Sequence, residues 1–567
     1  MPRALVALAP IPLYAGLLIW LTWPLASHAT THLPRVCGTD ALYEIWVLAW
    51  GSRALFTDPT GIFDPPIYFP SRHVLFYGPN GFGVLPYFAP IFLATGNPVL
   101  AVNVTFFVCM TLAAWGLHRV TTHWTGSELA GFVAAWTLLT GPQWTFTLTA
   151  WPTYLAIHYV PWIAALAATS VCSIRAVAAM TGLLVLQSLT NPVYVAPSVA
   201  APVALVAVAR GLRRSTRASG ARLFAALILA GAVLSPMYAG YWSARSEAFS
   251  QANRGPVHRR TQAPAVGESA VAGTLDMPLV VPWQKTFLAP VMQASLILIV
   301  IGGVGAALRP RILDARARIG WRHAGLWTIV GLFLAWPVIV FFGGLEVHTP
   351  LWALIGRLGL SPFEEIAGLW RLDLSMVMGL ALLAGVAFAA CERLVGNARL
   401  ARVAVGLAVA AAMYLELRVG MLREGFYTRR DTDGGASYAL REAPRLDTPL
   451  IRALQQGRGP VLELPQNVFN QASVLFRSID HGRPLVNGTS SYWPPTYLER
   501  RELAAALPNP KALTELKRIT GVTTIVVHPG ARRWGAWEQV AERGGRSDLR
   551  FVARIDDSLL FEVTGPR

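Results

Sequence analysis

The chain has 567 residues, of which 54% are hydrophobic and only 14% are charged, and its mean hydropathy is +0.45. Soluble domains carry about a quarter of charged residues, so this composition excludes an ordinary soluble protein and predicts a membrane protein with several spans. The net charge of +17 does not indicate nucleic-acid binding. Most arginines of the apolar part lie in short loops between apolar segments, as the positive-inside rule expects.

The first apolar segment, residues 4–24, follows Arg3 and is long enough to span a bilayer. The sequence ASHA behind it resembles a signal-peptide cleavage site, but the length favours a span. This placement puts the N-terminus in the cytoplasm and residues 25–83 outside, as a first extracytoplasmic loop. A short apolar piece at 84–95 is predicted to be half-length or re-entrant, because Gly96-Asn97-Pro98 interrupts it.

Ten further apolar segments predict the remaining spans, and the basic loops between them fall on the cytoplasmic side. They are 98–117, 128–141, 158–172, 176–190, 193–209, 223–242, 286–307, 324–343, 374–391 and 402–418. The predicted fold is therefore mainly α, a polytopic transmembrane bundle of about 11 spans over residues 1–419. An odd number of spans places the C-terminus outside.

Residues 420–567 have frequent charges and contain no segment that could span a membrane. VLELP (461–465) and TTIVV (523–527) are typical of buried strands, and LERRELAAAL and NPKALTELKRI are typical of amphipathic helices. RFVARI and LLFEV predict a hairpin around Asp556-Asp557. We expect a soluble α/β or α+β domain on the extracytoplasmic side.

The first loop begins with GTDALYEIW, after which the apolar residues recur with helical spacing. We expect this helix to lie on the membrane surface with its aromatic side chains at headgroup level. The apolar face comprises Leu42, Ile45, Trp46, Leu48 and Ala49.

Asp40 and Glu44 are spaced i, i+4, so on a helix both carboxylates lie on one face. Two neighbouring carboxylates raise one pKa or hold a cation, and either outcome suits general-base catalysis. The alternative is that Asp40 only caps the helix. Asp58 and Asp64 each precede a proline and are predicted to form turns.

The sequence resembles the GT-C glycosyltransferases, and more closely a group of uncharacterised bacterial membrane proteins assigned to that superfamily. The first-loop motif stands here as GTDALYEIWVLAWGSRALFTDPTGIFDPPIYFP. Further matching stretches are GNPVLAVN (96–103), HYVPW (158–162), LQSLTNPVY (186–194), GLWRLDLSMVMGLALLAG (368–385), GPVLELP (459–465) and HGRPLVNGTSSYWPP (481–495). Of an Arg-x-Pro-x-Arg-Phe signature usual in the group, only Arg371 is retained.

This resemblance implies a GT-C fold and inverting transfer of a sugar from a polyprenyl-phosphate donor at the outer face. A first-loop carboxylate would act as the base, and the matching residue is Asp40, with Glu44 as its support. The acceptor would be a glycan, a lipid or a protein. We expect the protein in the bacterial cytoplasmic (inner) membrane, with lipid and a lipid-linked sugar as partners and no nucleic acid.

A departing phosphate needs positive charge near the membrane surface. Arg371, Arg72 and His73 are the candidates for this role. Aromatic and ionisable residues at the same level are candidates for lining the substrate cavity, although each also fits a structural role. They are Trp151, Tyr154, His158, Tyr492 and Trp493. The loop that contains Tyr492 and Trp493 could instead dock the C-terminal domain onto the membrane core.

The cofactor is unknown from the sequence. No metal-binding spacing of cysteine or histidine occurs, and the first loop has no Asp-x-Asp pair, so no metal site is predicted, while a divalent cation at Asp40 and Glu44 stays open. Two alternatives to a transferase are a lipid or polysaccharide transporter or flippase, and a non-catalytic cell-envelope assembly protein of the same fold. A transporter is expected to show internal repeats, and none is apparent.

Overall fold

The protein is described here by a computed structural model. It describes residues 8–35, 38–141, 151–169, 173–248, 279–280, 293–335, 338–340, 346–348, 372–396, 398–423, 427–429, 436–466, 468–491 and 493–564. Arg371 and Tyr492, two of the predicted site residues, lie outside these ranges.

Helices occur where the sequence predicts spans, and each predicted span overlaps one of them. In chain order the α-helices within the described residues before 430 are α1 (Pro10–Leu21), α2 (Thr39–Thr57), α3 (Leu85–Thr95), α4 (Pro98–Thr125), α5 (Glu128–Leu139), α6 (Val160–Ala168), α7 (Ile174–Thr190), α8 (Val195–Gly211), α9 (Arg217–Ala248), α10 (Gln293–Leu308), α11 (Ala315–Ala335), α12 (Leu374–Val395) and α13 (Arg399–Arg423). Helix α2 belongs to the first loop and α3 is the predicted half-length piece.

Four helical stretches within the described residues are long and apolar enough to cross a membrane: Pro98–Thr125, Arg214–Ala244, Leu374–Val395 and Arg399–Arg418. Several others are apolar but shorter. Together with the composition, they identify a membrane protein. The number of crossings and their orientation stay predictions.

The Gly96-Asn97-Pro98 sequence ends one helix and begins the next. Gly96 has φ of +68°, the left-handed conformation that commonly ends a helix, and closes α3. The Asn97 side chain accepts hydrogen bonds from the backbone N–H groups of Val99 and Leu100, and Pro98 occupies the first turn of α4. The predicted interruption is thus a helix boundary.

Helix α12 lies at the centre of the bundle and packs against α5, α10 and α11. Nearly all of its side chains are buried. Small residues allow these helices to approach closely: a Cβ on Gly379 would lie 2.5 Å from the backbone nitrogen of Thr328, and one on Gly331 would lie 2.2 Å from that of Met376. Such small-residue contacts are typical of helices packed within membranes.

The C-terminal region forms a five-stranded sheet covered by helices. Its strand order is β10 (Gly545–Arg546), β11 (Leu549–Ile555), β12 (Ser558–Val563), β9 (Thr524–Val527) and β8 (Val461–Leu464). Strands β8 and β9 are parallel and the other neighbours are antiparallel. The predicted hairpin is present, since Asp556 and Asp557 connect β11 to β12 and both have positive φ, as a two-residue turn requires.

This region contains five helices among the described residues. They are α14 (Pro449–Gln456), α15 (Val468–His481), α16 (Tyr497–Ala506), α17 (Pro510–Thr520) and α18 (Trp534–Glu542). Helices α16 and α17 coincide with the two predicted amphipathic segments. The remaining strands are short: β1 (His32–Pro34), β2 (Leu279–Val280), β3 (Val338–Val340), β4 (Glu346–His348), β5 (Tyr427–Arg429), β6 (Ala436–Tyr438) and β7 (Leu440–Glu442). Strand β1 of the first loop pairs with β7, which joins that loop to the C-terminal region.

Helix α2 corrects the prediction that its apolar and aromatic side chains face the lipid headgroups. Its apolar face is buried within the protein: Ile45 and Leu48 are fully buried and Trp46 is 3% exposed. The face packs against α15, and the Trp46 indole N–H donates to Ser478 Oγ at 2.9 Å. The spacing of the apolar residues predicts the buried face of α2 correctly. That face is buried by helix α15, where the sequence predicts contact with lipid.

Candidate functional site

The first turn of α2 presents the Asp40 carboxylate to solvent. Gly38 is the residue at the N-cap, and Asp40 lies inside the first turn, so it is not the capping residue of the alternative interpretation. Its side chain is exposed, and its Oδ2 accepts a hydrogen bond from the Trp151 indole N–H at 3.2 Å. Two residues that the sequence predicts in separate parts of the site are therefore in contact.

One turn further along α2, the Glu44 carboxylate is buried and binds the same segment. Glu44 is 3% exposed, and its Oε2 accepts from the backbone N–H of Thr153 at 2.8 Å and from Thr153 Oγ1 at 2.7 Å. Thr153 in turn packs against Gly81, where an added Cβ would come within 2.5 Å of Thr153 Cγ2. Gly81 has φ of +60°, so both its backbone conformation and the lack of space favour glycine.

The i, i+4 spacing thus directs both carboxylates to one short segment, Trp151 to Thr153, as two carboxylates on one helix face can do. Their surroundings differ. The hydrogen bonds from Thr153 fix the buried Glu44 carboxylate, whereas the Asp40 carboxylate is exposed to solvent and can contact a bound molecule. Burial next to Glu44 and Asp40 raises the pKa of Tyr43, so this phenol stays protonated.

The loop after α2 packs against Tyr43 of that helix and against Ser490 of the C-terminal region. An added Cβ on Gly78 would lie 2.4 Å from the Tyr43 hydroxyl and 3.4 Å from Ser490 Cβ. The Gly78 carbonyl accepts from the Tyr241 hydroxyl at 2.9 Å. The first loop, α9 and the C-terminal region therefore meet around Gly78, beside the Tyr43 side chain of α2.

Asp58 and Asp64 have the structural roles expected of turn residues. Asp58 accepts from Thr60 Oγ1 at 2.8 Å and from the Gly61 N–H at 3.0 Å, and these bonds lower its pKa. Asp64 pairs with Arg72 at 3.0 Å and with His73, whose backbone N–H also donates to it. Partial burial opposes ionisation of Asp64, but these donors lower its pKa.

Arg72 and His73, the predicted phosphate ligands, thus lie at the end of the first loop with Asp64 as their partner. Their side chains are 77% and 69% exposed. Both therefore remain accessible to a ligand.

His158 is buried just before α6 and is bonded to a tyrosine of α3. Its Nε2 lies 2.6 Å from the Tyr87 hydroxyl, which also lies 3.1 Å from the Tyr159 hydroxyl. His158 Nδ1 is buried and has no hydrogen-bond partner among the described residues. Tyr154 is also buried, with its ring centroid 6.3 Å from that of Tyr194. Both residues follow the segment that Asp40 and Glu44 hold.

The stretch HGRPLVNGTSSYWPP contacts the first loop directly. Leu485 exchanges backbone hydrogen bonds with Pro66 and Phe69, and Asn487 O accepts from the Tyr68 N–H at 2.9 Å. Tyr68 has φ of 51°, a strained conformation for a residue with a side chain, and the Tyr68 hydroxyl is bonded to Ser490. The stretch therefore attaches the C-terminal region to the first loop, while docking onto the membrane core itself stays a prediction.

Arg500 of α16 adds charge-assisted bonds to this contact. It is 1% exposed, and its guanidinium donates to the carbonyls of Tyr68 at 2.7 Å and Phe69 at 2.9 Å and to Ser71 Oγ at 2.7 Å. Trp493 is 6% exposed, contacts the Tyr497 ring, and lies under the Arg501 guanidinium at 4.9 Å. Trp493 thus packs within the C-terminal region.

A buried ion cluster in the C-terminal sheet was missed by the sequence analysis. Glu463 of β8 is fully buried, and its Oε2 accepts from Arg477 at 2.5 Å and from His528 Nε2 at 2.6 Å. His528 Nδ1 lies 2.8 Å from Ser558 Oγ. Burial alone would raise the pKa of Glu463, but Arg477 and His528 hold it at about 2. The signal was a glutamate within an apolar strand, which requires a partner.

The cluster lies next to the docking contact. Asn487 Oδ1 accepts from the Glu463 N–H at 2.7 Å, and Asn487 Nδ2 donates to the Glu463 carbonyl and to Gln471. Arg477 and Gln471 both belong to α15, the helix that packs on α2. The ion cluster therefore supports the helix that holds Asp40.

Among the described residues, no group of three or more His, Cys, Asp and Glu side chains comes together as a metal site would. Near the first turn of α2, one Glu44 oxygen already accepts two hydrogen bonds from Thr153. Asp40 thus offers the more accessible carboxylate of the pair.

No protein-family model matches the sequence, and no curated protein matches it. The fold is similar to that of the oligosaccharyltransferase of Archaeoglobus fulgidus, a glycosyltransferase of the GT-C superfamily. The apo crystal structure is 10% identical over 92% of this chain and 69% of that chain, with a TM-score of 0.50. This neighbour belongs to the superfamily that the sequence resembles. At such low identity the likeness concerns the fold alone.

Two further structures of that enzyme are also similar. The complex of AglB with an inhibitory peptide and a dolichol-phosphate is 12% identical over 92% of this chain and 69% of that chain, with a TM-score of 0.49. The complex with Zn and sulfate is 12% identical over 92% and 68% of the two chains, with a TM-score of 0.43.

Proposed function

We propose that this protein is a membrane glycosyltransferase that transfers a sugar from a polyprenyl-phosphate donor to an acceptor at the outer face of the membrane. The observation that carries the proposal is the exposed Asp40 carboxylate, held by the Trp151 indole beside a buried partner carboxylate. The sequence motifs and the similarity of fold to a GT-C enzyme support the choice of reaction.

In this reaction Asp40 is the general base. Its carboxylate takes the proton from an acceptor hydroxyl while that oxygen forms a bond to the anomeric carbon of the sugar. The bond from the anomeric carbon to the phosphate oxygen breaks, and the polyprenyl phosphate leaves with the electron pair. Attack opposite to the leaving group inverts the anomeric configuration.

Glu44 has a positioning role in this proposal. Its bonds to Thr153 fix the segment that carries Trp151, and that indole sets the orientation of the Asp40 carboxylate. An indole N–H donor leaves the other lone pairs of the carboxylate available for a substrate proton.

Positive charge for the departing phosphate would come from Arg72 and His73, which are exposed in the same loop, and from Arg371. The cavity residues would be Trp151, Tyr154, His158, Tyr492 and Trp493. The acceptor would be a glycan, a lipid or a protein, and the location the bacterial inner membrane, with the C-terminal region extracytoplasmic.

The proposal is tested with the detergent-purified full chain and a panel of polyprenyl-phosphate sugars. Asp40→Asn should lower turnover by about 100- to 10,000-fold, the usual contribution of a general base. Asp58→Asn is the matched control, because it makes the same change in the same loop where the side chain only forms a turn. Equal turnover of Asp40→Asn and wild type would remove the assignment of the base.

A further inference from the structure

A cavity of about 700 Å³ opens where α10 ends, away from the first loop along the chain. This volume lies within the range of small-molecule sites in proteins. The cavity is lined by Arg309, Pro310, Arg311, Ile312, Asp314 and Arg393.

The charges of this lining are only partly compensated. Arg393 of α12 donates to Asp314 Oδ2 at 3.0 Å, to the Thr125 carbonyl at 3.1 Å and to the Ile312 carbonyl. The Arg393 guanidinium therefore compensates the charge of the Asp314 carboxylate, and its hydrogen bonds to the two carbonyls hold the loop in place. Arg309 and Arg311 are exposed, and neither side chain has a hydrogen-bond or ion-pair partner within the described part of the chain. Three arginines and one aspartate leave a formal charge of +2.

Apolar side chains lead directly to this basic cavity. One face of α10 is exposed along its length, through Ile297, Val300, Ile301, Val304 and Leu308. Leu308 is 78% exposed and immediately precedes Arg309. Leu394 and Val395, which follow Arg393, are also exposed. An exposed apolar face on a membrane helix contacts acyl chains, so the cavity lies at the level where headgroups begin.

We propose that this cavity binds the headgroup of an anionic phospholipid. Its phosphate would contact Arg309 and Arg311, and its acyl chains would lie along the exposed face of α10. Basic pockets between membrane helices are suited to such headgroups. The adjoining apolar face favours a lipid over a soluble phosphate, because a soluble anion gains nothing from Leu308 and its neighbours.

The test uses the delipidated full chain in detergent, with short-chain phosphatidylglycerol as the probe and bound lipid counted by native mass spectrometry. Arg309→Gln/Arg311→Gln should weaken binding roughly 30-fold, which corresponds to about 1 kcal/mol for each arginine near a membrane surface. Arg309→Lys/Arg311→Lys should retain most of the affinity. Arg213→Gln/Arg214→Gln, which removes two exposed arginines of another basic loop, should bind as wild type.

Phosphatidylcholine and inorganic phosphate form the other arms of the experiment. Phosphatidylcholine should bind more weakly than phosphatidylglycerol, and inorganic phosphate should not displace the bound lipid at equal concentration. The proposal fails if the glutamine variant binds phosphatidylglycerol as wild type does, or if the control variant loses as much. It also fails if inorganic phosphate alone binds equally well, since the cavity would then be a soluble-anion site.

Discussion

The two carboxylate clusters of this protein differ in the way each acid is surrounded. Glu463 is fully buried, and both Arg477 and His528 bind one of its oxygens. Asp40 is exposed and has the Trp151 indole N–H as a neutral donor. A carboxylate that stabilises a fold is enclosed by compensating charge, whereas one that takes a proton from a substrate must be reachable. The first cluster therefore supports the structure, and the second is suited to chemistry.

The largest change in stability is expected from Glu463→Gln. Removal of one charge leaves Arg477 uncompensated in the interior, and breaking a buried ion pair costs about 3–5 kcal/mol. The free energy of opening strand β8, measured by hydrogen exchange, should fall by this amount. Glu442→Gln is the control, because Glu442 and Arg445 form an exposed pair that contributes at most about 1 kcal/mol. Equal effects of the two variants would contradict the comparison.

Acidification should weaken the same region in two separable steps. Burial lowers the pKa of His481 from 6.5 to about 4, near Glu463, Arg483 and Arg477. The unfolded chain therefore binds a proton that the folded one does not, and up to about 3 kcal/mol is lost as the pH falls from 6.5 to 4. Glu463, with a folded pKa of about 2 against 4.5, adds its loss only below pH 4.5.

The loss of stability between pH 6.5 and pH 4 should disappear in His481→Asn, and the loss below pH 4.5, which belongs to Glu463, should persist. Hydrogen exchange of α15 between pH 8 and pH 4 measures the first step. An opening free energy that stays constant between pH 6.5 and pH 4 in the wild type would show that His481 does not titrate as the structure requires.

Arg500→Lys should loosen the contact between the first loop and the C-terminal region by about 2 kcal/mol. Lysine keeps the charge but cannot donate at once to Tyr68 O, Phe69 O and Ser71 Oγ, and bonds to a charged group are worth about 1.5–3 kcal/mol. Faster exchange of the Tyr68 and Phe69 amides is the readout. Arg501→Lys, which keeps its cation over the Trp493 ring, should leave these amides unchanged.

The smallest effect is expected from Trp151→Phe, which removes the donor to Asp40 and keeps an aromatic ring. The indole is a neutral donor and its bond to the carboxylate is exposed to solvent, so we expect it to contribute about 1 kcal/mol and turnover to fall about fivefold. Trp50→Phe removes an indole bond to the Ile62 carbonyl elsewhere in the first loop and should leave turnover unchanged. A loss as large as that of Asp40→Asn would contradict a role for the indole N–H that is limited to orienting the Asp40 carboxylate.

The sequence predicts local structure well in this protein because the signals are local. Gly96-Asn97-Pro98 specifies a helix boundary, and Asp556-Asp557 specifies the turn between β11 and β12. Helix α2 was also predicted from its spacing, but its apolar face was assigned to lipid. An amphipathic pattern identifies a buried face and cannot tell whether lipid or another helix buries it.

The site itself depends on contacts between distant residues. Asp40 and Trp151 are separated by 111 positions, so their hydrogen bond could not be read from spacing, although both were chosen as candidates. Glu44 was expected to assist as a second carboxylate, and its burial against Thr153 gives it a positioning role in the proposal. Glu463 lies on β8 and His528 immediately follows β9, so only the parallel pairing of these two strands brings them together.

The most direct test of the comparison measures turnover and stability together for Asp40→Asn and Glu463→Gln. Asp40→Asn should lose about 100- to 10,000-fold in turnover while its unfolding temperature stays close to that of wild type, because the exposed carboxylate accepts a single hydrogen bond among the described residues, from a neutral donor. Glu463→Gln should show the lowered unfolding temperature instead. Full turnover in Asp40→Asn with an active wild-type enzyme would contradict the assignment of Asp40 as the base.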